Sequence, residues 1–339
     1  MFHQALTHPI LPGSNPAHLI GGRKTVKQKL LILSLLFTFI LVGCAQSAPE
    51  VVTIRVGVLP VLDTLPMYVA QAEGFFSQEG VEVELVPVNA APERDQLMQS
   101  GQIDAMLNEI VSVLLFNKEE PRIVALRFAR VATENYPVFR IVASADSGIL
   151  SVEDLSGVPI GISEGTVIEY TTDRILENAG LSASEVNKLA VPKIPDRLNL
   201  LASGQLEAAN LPDPAASLAI LNGAQLVIDD STYPEISHSV LSFSREFVSR
   251  HPEAVRSFLR AVEQAVLEIN ADKDAWDTLL TEQNLVPPPL LGIYELPDYP
   301  LAAVPSEAQF ADALAWAQAQ GIISTDIAFG LSIDGSYLP

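Results

Sequence analysis

Four short loops, residues 59–66, 108–112, 163–167 and 211–213, carry the side chains best suited to chemistry in this chain. They hold Asp63, Glu109, Glu164 and Asp213 among the hydroxyl and amide groups of Thr64, Asn108, Ser163 and Thr166, with no Lys or Arg in any of the four. Carboxylates without basic neighbours suit an amine, an aminopyrimidine or a cation, and Tyr68, Tyr136, Phe139 and Tyr170 offer ring faces for stacking. An oxyanion needs donors, ideally arginine, which these loops lack. In Ser163-Glu-Gly-Thr-Val167, Gly165 lets the backbone come close to a ligand, and Ser163 or Thr166 adds a hydroxyl beside free helix N–H groups. Each residue also has an ordinary use: Ser or Thr before a helix is commonly an N-cap, and a loop acid is commonly solvated.

Phosphate-loop and metalloprotease motifs are missing. The chain has no Gly-x-x-x-x-Gly-Lys-Ser/Thr phosphate loop and no His-Glu-x-x-His pair. Three of the five histidines, His3, His8 and His18, precede the region just described, which leaves His238 and His251. A lone histidine is more often an ordinary polar residue than a base or ligand. We therefore expect no catalytic residue, no cofactor and no metal, and hence no enzyme.

Cys44 is the only cysteine, which rules out an intramolecular disulfide and a thiolate metal cluster. Its setting is specific. A basic patch (Arg23, Lys24, Lys27, Lys29) leads into the apolar run 30–42 and then into Leu41-Val42-Gly43-Cys44. The run is shorter than the ~20 residues of a membrane-spanning helix, and the order is that of a secretory leader ending in a lipobox. Residues 1–43 are thus expected to be a lipoprotein signal peptide, with Cys44 acylated and 44–50 a lipid-anchored linker. The full chain carries 20 Lys+Arg against 41 Asp+Glu. Without the leader 16 basic residues remain, for a net charge near −25. Such a field repels nucleic acid and anionic lipid.

From Pro49 onward, short β-branched runs alternate with helical patterns, as in α/β proteins. Strands are expected at 54–59, 81–86 and 103–107, and helices at 66–73 and 92–100, each helix stopped by a glycine. An internal echo follows. Ser100-Gly-Gln-Ile-Asp-Ala105 recurs as Ser203-Gly-Gln-Leu-Glu-Ala208, each closing a helix about 43 to 44 residues after a matching strand (Val56-Gly57-Val58 and Ile160-Gly161-Ile162). Equal spacing implies two equivalent βαβ lobes. Tyr136–Ala143 and Ser237–Phe243 read as crossings between them, a two-stranded hinge that closes on a ligand. Lobe 1 is expected at 51–137 and 238–339, and lobe 2 at 138–237. Residues 252–272 form an apolar-faced helix, and Ser306-Glu-Ala-Gln309 is a capping-box start; both helices are expected to brace lobe 1.

The segments "PMYVAQAEGFFSQEGVEVEL", "GQIDAML", "DLSGVPIGISEGT", "GQLEAANLPDPAA" and "SREFVSRHPEAVRSFLRAVEQAV", in this order and spacing, resemble the solute-binding lipoproteins of ABC importers in the nitrate/sulfonate/taurine and thiamine-pyrimidine-precursor group. The resemblance covers residues 51–270. It implies a two-lobed periplasmic-binding-protein fold of the second type, and a monomer anchored outside the cytoplasmic membrane. It also implies capture of a small solute for an ABC permease and its cytoplasmic ATPase. Fungal pyrimidine synthases of this fold are enzymes, but their cysteine-rich segment is absent here. The expected ligand contacts are Asp63, Thr64, Tyr68, Asn108, Glu109, Ser163, Glu164, Gly165, Thr166 and Asp213, taking an amine or heterocycle. An oxyanion binder, a ligand-sensing lipoprotein and a secreted enzyme are the alternatives.

Overall fold

The computed structural model describes residues 51–339. The expected leader and Cys44 lie outside the described residues. In chain order the strands are β1 (Val52–Val58), β2 (Val81–Pro87), β3 (Ala105–Asn108), β4 (Ile123–Val131), β5 (Phe139–Ala143), β6 (Pro159–Ile162), β7 (Asn187–Ala190), β8 (Ala208–Pro212), β9 (Gln225–Asp229) and β10 (His238–Ser244). The principal helices are α1 (Leu65–Ala72), α2 (Ala91–Gln99), α3 (Ile110–Asn117), α4 (Val167–Asn178), α5 (Ile194–Ala202), α6 (Pro252–Ala271) and α7 (Glu307–Ala319).

Two five-stranded sheets result, ordered β2-β1-β3-β10-β4 and β7-β6-β8-β5-β9. In each, three parallel strands are followed by an antiparallel one that arrives from the other sheet's part of the chain: β10 beside β3, and β5 beside β8. The two sheets are copies of one plan, as the sequence echo implies. This is the α/β, two-lobed architecture that the resemblance implies.

Packing explains why glycine stands in the middle strand of both copies. A Cβ on Gly57 would lie 2.7 Å from Cδ1 of Ile103, and one on Gly161 would collide with Cδ2 of Leu206. Ile103 and Leu206 occupy matching places after the two Gly-Gln helix stops, so each closes its unit by packing onto a bare Cα.

The long helix α6 keeps the expected apolar stripe: Val255, Phe258, Leu259, Val262, Val266 and Ile269 are all buried. It packs along α1, and Phe258 stacks on Phe76 with centroids 5.2 Å apart. Fully burying such side chains contributes about 1.5–3 kcal/mol each, which holds α6 to the first sheet.

Helix α7 departs from expectation. Its capping box forms as read, with Ser306 and Gln309 bonding reciprocally, but the helix does not brace lobe 1 alone. It packs on α3 of the first lobe and also meets α4 of the second, where Asp312 accepts from Tyr170 and Arg174 and Trp316 donates to Asp173 at 2.9 Å. One apolar cluster accordingly runs through Leu114, Ile141, Ile160 and Trp316. Among the described residues no helix is long and apolar enough to cross a membrane.

Candidate functional site

The carboxyl ends of β1, β3, β6 and β8 meet in a cleft between the two sheets. In open α/β sheets this edge, with the helix N-termini that follow it, is where ligands bind. The cavity here has a volume of about 80 Å³, room for roughly six waters at 10–15 Å³ each, or one small solute. Its walls are mostly apolar, from Leu59, Val138, Phe139, Ile168 and Ile194, with a few polar groups set among them.

Five of the ten expected contact residues line it: Asp63, Asn108, Glu109, Ser163 and Thr166. Asp63 accepts from Ser239 and lies 3.6 Å from Nη1 of Arg130. Asn108 accepts from Ser242 at 2.6 Å. Glu109 caps α3 by accepting from the Ser112 N–H at 2.9 Å, as a residue with β-region backbone at an N-cap does. Burial pushes its carboxyl up to about 7, against the pull of Arg94. Thr166 caps α4, accepting from the Ile168 N–H and donating to the Ser163 carbonyl. Ser163 is 4% exposed and its hydroxyl has no hydrogen-bond partner.

The other five do not line the cavity. Thr64 turns its hydroxyl back to the Val61 carbonyl, and Tyr68 packs against the apolar cluster that holds Phe76 and Phe258. Glu164 is exposed, and Gly165, at φ +67°, donates its N–H to Glu169. Asp213 is buried, accepting from Ser217 and from the Tyr294 hydroxyl. The physical reason is local. Glu164 and Asp213 fall in the turns that follow β6 and β8, one residue past the cleft-lining Ser163 and Pro212. Of the aromatic residues, only Phe139 reaches the cavity; the Tyr170 hydroxyl is taken by Asp312, and Tyr136 lies under Lys273. His238 is fully packed, edge-on to Phe128, and burial pushes it down to about 4.

The expectation of a cleft without basic groups fails. Arg94 of α2 and Arg197 of α5, each 1% exposed, line the cavity from the two lobes. They come from first turns of helices, outside the strand-end loops to which the sequence reading confined itself. The signal was present: continuing the Ser-Gly-Gln echo six residues upstream reaches an arginine in both copies.

A model of NMT1/THI5-like proteins matches residues 62–275, well over half of the chain. The chain belongs to the NMT1/THI5-like family. Within it, the 4-amino-5-hydroxymethyl-2-methylpyrimidine phosphate synthase of Schizosaccharomyces pombe is 22% identical over 226 residues, 61% of this chain and 62% of that protein. This NMT1/THI5-like chain thus matches less than two thirds of the length of that relative. Among solved structures, the alkanesulfonate-binding protein SsuA of Xanthomonas axonopodis pv. citri superposes with a TM-score of 0.70 at 19% identity, covering 85% of this chain and 99% of that one. A ligand-binding component of an ABC-type import system from Staphylococcus aureus gives 0.68 at 13% identity, over 84% and 97%. These likenesses show the fold. The expectation that the chain is no enzyme is overturned as a deduction from the sequence: relatives at 22–23% identity are named as synthases, so absent motifs do not separate binders from enzymes in this family.

Proposed function

We propose that this chain is the extracytoplasmic solute-binding component of an ABC importer. Anchored as a monomer by a lipid on Cys44, it captures one small solute between lobe 1 (51–137 and 238–339) and lobe 2 (138–237) and delivers it to a permease with a cytoplasmic ATPase. The observation that carries this reading is the cavity itself, lined from both sheets by buried polar groups at strand ends and helix starts. A solute that touches both lobes favours the closed form, because only differential affinity moves such an equilibrium. The resemblance to import components supports the same reading.

The test is to screen the full chain against a panel of small metabolites by thermal shift, and then to incubate the best binder with the protein and recover it. One solute bound per chain and returned chemically unaltered fits capture. A recovered product would contradict it and favour the chemistry of the synthase relatives.

A further inference from the structure

Arg94 and Arg197 occupy one position in the two copies of the repeated unit. A step of 103 residues carries Pro92-Glu93-Arg94-Asp95 to Pro195-Asp196-Arg197-Leu198, Ser100-Gly-Gln to Ser203-Gly-Gln, and Ala105 to Ala208. Their surroundings differ. Arg94 has acids on two sides: Oδ1 of Asp95 is 2.8 Å from Nε and 2.6 Å from Nη2, and Oε1 of Glu109 is 3.7 Å from Nη2. The same step carries Asp95 to Leu198 and Glu109 to Pro212. The second copy keeps the arginine and has lost both of its counter-ions.

Arg197 makes hydrogen bonds only through Nη1, to the carbonyls of Val191 at 2.8 Å and Pro192 at 3.3 Å. Its Nε is buried without a partner, and it forms no ion pair among the described residues. A buried, uncompensated charge is costly, and buried charges are otherwise found paired. Beside it in the cavity lie the unpartnered Ser163 hydroxyl and the start of α4, whose N-terminal dipole favours negative charge. The two acids of the cavity do not oppose an anion strongly, since Asp63 has Arg130 and Glu109 has Arg94.

Resting on the capture reading, we infer that Arg197, with Ser163, binds the carboxylate of a small and otherwise apolar solute. The free Nε–Nη2 edge of a guanidinium presents two parallel donors that match the two oxygens of a carboxylate. The corresponding edge of Arg94 is already taken by Asp95. The body of the solute rests on Phe139, Val138 and Ile194.

The test is equilibrium titration of the full chain with four matched probes: benzoate, benzenesulfonate, benzyl alcohol and benzylamine. Benzoate is expected to bind tightest, and Arg197→Gln should weaken it roughly ten- to a hundredfold while leaving benzyl alcohol unchanged. Leu198→Asp, at a half-buried site, restores the acid of the first copy and should weaken benzoate comparably even if Arg197→Gln folds poorly. Benzyl alcohol or benzylamine binding as tightly as benzoate, or both variants binding benzoate as the parent does, overturns the inference and leaves solute capture standing. Tighter binding of benzenesulfonate overturns the carboxylate assignment. No binding of any probe up to about 10 mM overturns the inference too, and capture is then judged by the solute the protein retains.

Discussion

The Tyr170 hydroxyl donates to Oδ2 of Asp312 at 2.7 Å, tying a helix of the second lobe to a helix that packs on the first. Arg174 closes on the same carboxylate at 3.0 Å, and Lys188 and Trp316 converge on the neighbouring Asp173. Any hinge motion about the two crossings must carry this bridge or break it. Asp312→Ala leaves a mostly buried phenol and a guanidinium without their acceptor, so the variant should be less stable by about 1–2 kcal/mol in urea unfolding. An unchanged midpoint would mean that α7 is not docked on α4 in solution.

Glu109 makes stability depend on pH. Burial raises its folded pKa to about 7 from an ordinary 4.5. Between these values the folded chain binds more protons than the unfolded one, so stability falls as pH rises through that window. Glu109→Gln is neutral throughout and keeps a carbonyl oxygen for the Ser112 N–H. It should therefore melt above the parent near pH 8, by roughly 1–3 kcal/mol in stability, and level with it near pH 4. Melting below the parent near pH 8 would show that Arg94 holds the carboxylate charged.

Gly161→Ala should destabilise by about 1–3 kcal/mol, because its new Cβ meets Leu206 in a closely packed seam. The double variant Gly161→Ala/Leu206→Ala should recover part of the loss if the collision is its cause. Equal destabilisation in both backgrounds would place the cause in the backbone instead.

Much of the fold was legible because its signals are local. The alternation of Val81–Pro87, the glycine helix stops and the capping box at Ser306 all carry their partners within a few residues. The edge of the sheets that forms the cleft followed from topology alone. Which side chains face it did not. Asp213 and Glu164 sit in turns one residue past cleft-lining positions, where the pattern of the preceding strand no longer sets which way a side chain points. Arg94 and Arg197 reach the cavity across a helix turn, a tertiary relation whose one mark in the sequence is their shared place in the repeat. The double attachment of α7 was hidden for a related reason: on a helix surface, Asp312 reads as a solvated acid until Tyr170 and Arg174 are brought against it.

The most direct test of solute capture in the cleft is mass spectrometry of whatever the purified full chain releases on denaturation. A single small molecule near one equivalent per chain, carrying a carboxylate and lost from Arg197→Gln, is the predicted result. A protein that releases nothing stoichiometric after gentle purification, or a ligand retained equally by Arg197→Gln, would contradict the account.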